Sequence, residues 1–251
     1  PVSAGSARRR LLNTLLDFSE PGVLGIVTDP ATVAKLEREM AQTGFLEAEK
    51  MATTFDLLRA NDLVWNYAVN NWLMGEDPAS FDILTWNNDA TRMPAGMHSF
   101  YLRSCYIDNQ LAKGAMELAG QRLDLGKVTE DVYMVAAEQD HITPWRSCYK
   151  GARLLGGSVR FVPSNSGHIA GVVNPPNPKS RHWVGRNTRA RFLPADPDRW
   201  RSWASEHKAT WWEDWTTWIA KRGGARRPPP AMGSDSHRPV ADAPGSYVLE
   251  Q

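Results

Sequence analysis

The feature that most constrains this 251-residue chain is the stretch from Asp131 to His168. Asp131–Ala137 (DVYMVAA) has little polarity, as a strand does when both faces of a parallel sheet are covered. It runs into Glu138-Gln139-Asp140-His141. Thr143-Pro144 then starts a helix predicted to reach about Leu155 and to stop at Gly156-Gly157. Ser158–Val162 (SVRFV) is the next predicted strand, followed by the loop Pro163–His168. Two strands joined through a helix become parallel neighbours with a right-handed crossover. Asp140 and His168 then fall just past the carboxyl ends of their strands, the edge where open α/β sheets bind ligands.

An aspartate and a histidine so placed are two thirds of a catalytic triad. Histidine accepts protons near neutral pH, and a carboxylate fixes its tautomer and steadies the cation that forms. The order acid, then histidine matches the last two members of the α/β-hydrolase series nucleophile, acid, histidine. The blander reading is that Asp140 caps a helix and His168 is a solvated loop residue. His141 is ambiguous beside it. His98, His182, His207 and His237 have no metal-ligand spacing, there is no His-Glu-x-x-His, and no metal is expected. No Gly-x-Ser-x-Gly or Gly-x-Cys-x-Gly elbow occurs, so the sequence shows no nucleophile. Cys105 and Cys148 both lie within predicted helices and read as buried small side chains rather than thiolates.

Around this core, Leu11–Phe18 (LLNTLLDF) reads as a buried strand ending in a turn. Asp29-Pro30 predicts a helix start, with the helix running to about Ala41 and stopping near Gly44. A second helix is predicted from Phe45 to Leu58, and a third from Asn61-Asp62 to Gly75. Phe81–Trp86 could be a strand or a buried turn, and Gly96–Leu111 is a predicted helix. Asn174–Pro178 is proline-rich and irregular. A helical segment from Pro197 to Lys221 places Trp211, Trp215 and Trp218 on one face. The expected organisation is a core strand region over 1–18 and a helical lid or cap insertion over 19–95. The C-terminal part of an α/β-hydrolase core follows over 96–222, with a flexible tail over 223–251.

Formal net charge is +1, which argues against a nucleic-acid role, and Arg8–Arg10 and Arg226-Arg227 read as solvated tails. No apolar run is long enough to span a bilayer, and no signal peptide opens the sequence. Two cysteines without a Cys-x-x-Cys fit a reducing compartment. Six of the eleven tryptophans lie between Trp200 and Trp218, a density that marks heavy aromatic packing or an interface.

Several segments resemble one family. Ser166-Gly167-His168-Ile169-Ala170-Gly171-Val172-Val173-Asn174-Pro175-Pro176 is similar to the histidine segment of polyhydroxyalkanoate synthases, and Asp140-His141-Ile142-Thr143-Pro144-Trp145 to their aspartate segment. Asn61–Tyr67 (NDLVWNY), Phe81–Asn87 (FDILTWN), Trp211–Trp215 (WWEDW) and Pro244–Val248 (PGSYV) match too. The residues after His168 look more like class I enzymes, which favour short 3-hydroxyacyl groups. The resemblance implies an α/β-hydrolase fold, incomplete here, with a lid-bearing cap. It implies an acyltransferase that polymerises (R)-3-hydroxyacyl-CoA such as 3-hydroxybutyryl-CoA, releases CoA and needs no cofactor. It also implies a cytoplasmic homodimer on the surface of polyester granules. On it, His168 activates a nucleophilic cysteine. Asp140 either orients His168 or helps activate the attacking 3-hydroxyl. The family's cysteine box belongs upstream of Leu11, and this chain opens at Pro1, so an inactive C-terminal fragment is expected. An esterase or depolymerase of the same fold fits the Asp140–His168 order equally well. A synthase-derived interaction module without catalysis is the other alternative.

Overall fold

The computed structural model describes residues 8–58, 64–65, 67–77, 91–242 and 245–246. Residues 1–213 make one compact unit and 214–251 another.

The first unit is organised by a mixed sheet in the order β1-β6-β7-β8-β10, with β9 paired to β7. Its strands are β1 (Arg8–Leu12), β6 (Asp131–Ala137), β7 (Ser158–Ser164), β8 (His182–Val184), β9 (Thr188–Arg189) and β10 (Ser205–His207). β1, β6 and β7 are parallel, and β8, β9 and β10 join antiparallel. Val132 faces Val159, and Val135 faces Val162. Val132–Ala137 is buried on both faces of the sheet, which explains the unbroken apolar run. Each Val, Met or Phe removed from water in β6 and β7 contributes about 1.5–3 kcal/mol. The helix after β6 is α4 (Trp145–Ala152), with Cys148 and Tyr149 facing the core.

Between β1 and β6 lie α1 (Pro30–Thr43), α2 (Ala48–Leu58) and α3 (Ala95–Tyr101), with β2 (Phe45–Leu46) paired antiparallel to β3 (Met93–Pro94). α1 starts as expected. Asp29 accepts hydrogen bonds from the Ala31 and Thr32 N–H groups, Pro30 takes the first turn, and Gly44 ends the helix at φ 81°. A short hairpin of β4 (Glu117–Leu118) and β5 (Gln121–Arg122) precedes β6. Glu37 of α1 takes Arg103 in a two-pronged ion pair, tying α1 to the turn that continues α3.

Several boundaries differ from expectation. Strand β1 is Arg8–Leu12, not Leu11–Phe18. Asn13 at φ 43° turns the chain off the sheet, so Asn13–Phe18 forms a loop. Arg8–Arg10 is therefore a strand, not a solvated tail: the ladder to β6 outweighs the charges, and Arg9 pairs with Glu130. The second helix starts at Ala48 because Phe45 and Leu46 pair with β3. Ala68–Leu73 is helical in wider π turns and Gly75 lies at φ 72°, while Asn61–Leu63 and Asn66 fall outside the described residues, as does Phe81–Trp86. Gly96–Leu111 is α3 continued by a π-helical turn, Leu102–Ile107. The helical segment expected from Pro197 to Lys221 is interrupted. α6 (Pro197–Trp203) ends where Ala204 turns extended, and the next residues form β10 against β8. A new helix, α7 (Trp211–Gly223), then starts. In the second unit the helix ends at Gly223, and no regular element follows among the described residues.

Candidate active site

The ladder between β6 and β7 extends past both strands: the Glu138 N–H donates to the Ser164 carbonyl and the Gln139 N–H to Ser166. This brings the loops after the two strands together. In the first, Asp140 folds back on its own loop. Its Oδ1 accepts the Ile142 and Thr143 N–H groups, both at 2.8 Å, and its Oδ2 accepts the Thr143 hydroxyl at 2.7 Å. In the second loop Ser166 sits at φ 81°, a position few non-glycine residues adopt. Gly167 follows as the cap of a six-residue helix, α5 (His168–Val173). His168 is therefore the first residue of a helix rather than a free loop residue.

The imidazole Nδ1 of His168 lies 2.7 Å from Asp140 Oδ2. The Asp140 side chain is fully buried, while 34% of the His168 side chain is exposed. Burial alone would raise the Asp140 pKa. The hydrogen bonds from His168 and from the backbone and hydroxyl of Thr143 overcome it, and the carboxyl lies below its ordinary value. An ionised Asp140 can only accept, so it holds the proton of neutral His168 on Nδ1 and leaves Nε2 as the atom able to take a proton. The capping reading and the triad reading of Asp140 are thus compatible: Oδ1 caps the loop, and Oδ2, which also accepts the Thr143 hydroxyl, faces His168 Nδ1.

Asn13, which no sequence pattern singled out, holds the start of α5. Its Nδ2 donates to the His168 carbonyl at 2.5 Å, its Oδ1 accepts the Ala137 N–H at 3.0 Å, and its own N–H donates to Val135. One side chain thus joins the carboxyl ends of β1 and β6 to the backbone of His168. The spacing Asp140-x-x-Thr143 is a recognisable local cap and could have identified Thr143. Gly171 admits no side chain, because an added Cβ would lie 2.5 Å from the Ala137 Cβ. That close approach lets α5 lie flat on the strand ends.

The two cysteines are remote from nucleophilic character. Burial raises the Cys105 thiol to about 11. Burial, with the Asp140 charge adding to it, raises Cys148 to about 12. Both are buried, as the sequence reading expected. Of the other histidines, His98 is buried on α3, and His182 and His207 stack across β8 and β10 at 5.0 Å. His237 is exposed. A cavity of about 480 Å³ lies at the same sheet edge, lined among others by Glu138, Asn165, Lys179, Arg181 and Arg201, and neither Asp140 nor His168 lines it.

Parallel strands delivering an acid and then a histidine to one edge, with helices between, define an α/β hydrolase. The family model for the alpha/beta hydrolase fold matches residues 35–175, a span holding both Asp140 and His168, and the chain belongs to that family. Within it, the chain is 45% identical over 95% of its length to the poly(3-hydroxyalkanoate) polymerase subunit PhaC of Rhizobium meliloti, covering 38% of that protein. It is 44% identical over 98% of its length to the poly(3-hydroxyalkanoate) polymerase of Methylorubrum extorquens, covering 41% of it. It is 41% identical over 95% of its length to the polymerase subunit PhaC of Cupriavidus necator, again covering 41%. The chain thus spans about two fifths of the length of these relatives.

Proposed function

We propose that this chain is the acid- and base-bearing part of an acyltransferase that polymerises (R)-3-hydroxyacyl-CoA into polyester, with short acyl groups such as 3-hydroxybutyryl as substrate. The observation that carries this reading is the Asp140–His168 pair at 2.7 Å, in a chain 41–45% identical to these polymerases over nearly its whole length. His168 Nε2 takes the proton from a cysteine thiol, and the thiolate attacks the thioester carbonyl of the substrate. The acyl–sulfur bond to CoA breaks, and the CoA thiolate leaves with the proton held by His168. In the next step His168 takes the proton of a 3-hydroxyl, whose oxygen attacks the enzyme-bound thioester, forming an oxygen ester and returning the thiol. Asp140 keeps the His168 ring oriented and stabilises its cation throughout. On this reading the nucleophilic cysteine is neither Cys105 nor Cys148, because both are buried and held as thiols, and it belongs to another part of the complete polymerase.

By itself the chain transfers no acyl group. The helices between β1 and β6 act as a cap over the site. The complete protein works as a homodimer at the surface of cytoplasmic polyester granules. Among the described residues no helix is long and apolar enough to cross a membrane. The test is a chimera in which this chain replaces the matching two fifths of the Cupriavidus necator polymerase. It should release CoA from (R)-3-hydroxybutyryl-CoA, and His168→Ala should abolish the release. A folded chimera that releases none, or one whose release survives His168→Ala, overturns the reading.

A further inference from the structure

Helix α5 is too short to hold itself. With six residues it forms few internal hydrogen bonds, and its last carbonyls have no partner within the helix. Three consecutive side chains supply those partners. Trp211 Nε1 lies 3.1 Å from both the Gly171 and the Val172 carbonyls. Trp212 Nε1 donates to the Val173 carbonyl at 2.9 Å, and Thr210 Oγ1 donates to the Asn174 carbonyl at 2.5 Å. Four successive carbonyls are thus met by three successive residues. Ser164 adds a second bond to Gly171 from the end of β7.

The partners are themselves fixed. Thr210 and Trp211 are each 1% exposed. The Trp211 ring packs against Tyr133 of β6 with centroids 6.3 Å apart and stacks on Trp212 at 4.0 Å. Tyr133 stands on β6, the strand whose following loop carries Asp140. The indoles therefore reference the far end of α5 to β6, the strand that leads into the loop of the acid, while Asn13 holds the near end at the His168 carbonyl. Because His168 is the first residue of α5, any tilt or fraying of the helix would displace its ring from Asp140.

We propose that Thr210, Trp211 and Trp212 form a positioning clamp that sets the His168 imidazole against Asp140. This assigns a role to the start of the tryptophan-rich segment. The inference rests on reading His168 as the base. Its test reads the geometry of the pair rather than turnover, so its failure and the failure of the acyl-transfer reading are distinguishable.

The experiment is NMR of the 251-residue chain with labelled aspartate and histidine. Trp212→Phe keeps an aromatic side chain but deletes the indole N–H together with part of the ring system. Thr210→Val keeps the shape and deletes the hydroxyl. In both variants the His168 Nδ1–H signal should move upfield and broaden through faster exchange with water. The Asp140 carboxyl should titrate at higher pH than in the parent, while Asp17 does not move. An unchanged Nδ1–H signal and an unchanged Asp140 titration in a folded variant would overturn the proposal, whatever happens to the unfolding midpoint. If buried Thr210→Val fails to fold, Trp212→Phe decides alone, since Trp212 is 38% exposed and the position stays aromatic.

Discussion

Replacing Asp140 by Asn changes one atom and should reverse the polarity of the site. Oδ1 can go on accepting the Ile142 and Thr143 N–H groups at 2.8 Å, so the loop keeps its shape. At the Oδ2 position an NH2 now faces the Thr143 hydroxyl and His168 Nδ1, both 2.7 Å away. The hydroxyl can rotate and accept. Nδ1 can accept only by giving up its proton, so neutral His168 shifts to the tautomer protonated on Nε2, the atom that has to act as the base. Two effects follow. Loss of the charge-assisted hydrogen bonds should cost about 1.5–3 kcal/mol of stability, read by denaturant unfolding. In the chimeric polymerase described above, CoA release should fall on the order of 10⁴-fold, the loss expected when a triad histidine is held in the wrong tautomer. Nitrogen-15 shifts of His168 in Asp140→Asn report the tautomer directly. If His168 stays protonated on Nδ1, or CoA release falls less than about tenfold, the carboxylate does not set the tautomer and the assigned role of Asp140 is wrong.

Gly171→Ala should push α5 off the strand ends, since its Cβ would meet the Ala137 Cβ at 2.5 Å; the expected result is a loss of about 1–3 kcal/mol in unfolding and a weakened His168 Nδ1–H signal. Glu37 has its carboxyl lowered from 4.5 to about 2, chiefly by the Arg103 hydrogen bonds and then by that from Ser99. A lowered folded pKa means that the folded state binds fewer protons, so this stabilisation is present above pH 4.5 and is lost as pH falls from 4.5 towards 2. Glu37→Gln should therefore flatten the acid limb of the stability–pH curve in that window, and an unchanged limb would show that the pair is not formed in solution. At pH 8 the Cys148 thiol, raised to about 12, should react with a disulfide reagent about a thousandfold more slowly than an ordinary cysteine from its ionisation alone, and burial should slow it further. Fast labelling of the native chain would contradict the burial described for α4.

The pair and its two strands were legible because their signals are local. Asp131–Ala137 forms a strand at the predicted bounds, since the buried run Val132–Ala137 is bounded sharply by the charged Asp131 and Glu138. Asp140 and His168 follow from where two such strands stop. What was hidden depends on contacts between distant segments. Arg8–Arg10 looks like a tail until the ladder to β6 is known, and Ser205–His207 looks helical until β8 lies beside it. Asn13 reads as an ordinary polar residue inside an apolar run. Its importance comes from a left-handed backbone and from reaching His168, 155 positions away. The tryptophans show the same limit: spacing placed Trp211, Trp215 and Trp218 on one helix face, but Trp211 and Trp212 serve α5 through their indole N–H groups. Sequence pattern thus singled out two side chains that the structure brings together. What holds them 2.7 Å apart comes from elements that precede and follow them by tens of residues. A substitution at Asn13 or Trp212 should therefore disturb the pair although neither residue touches the Asp140 carboxylate.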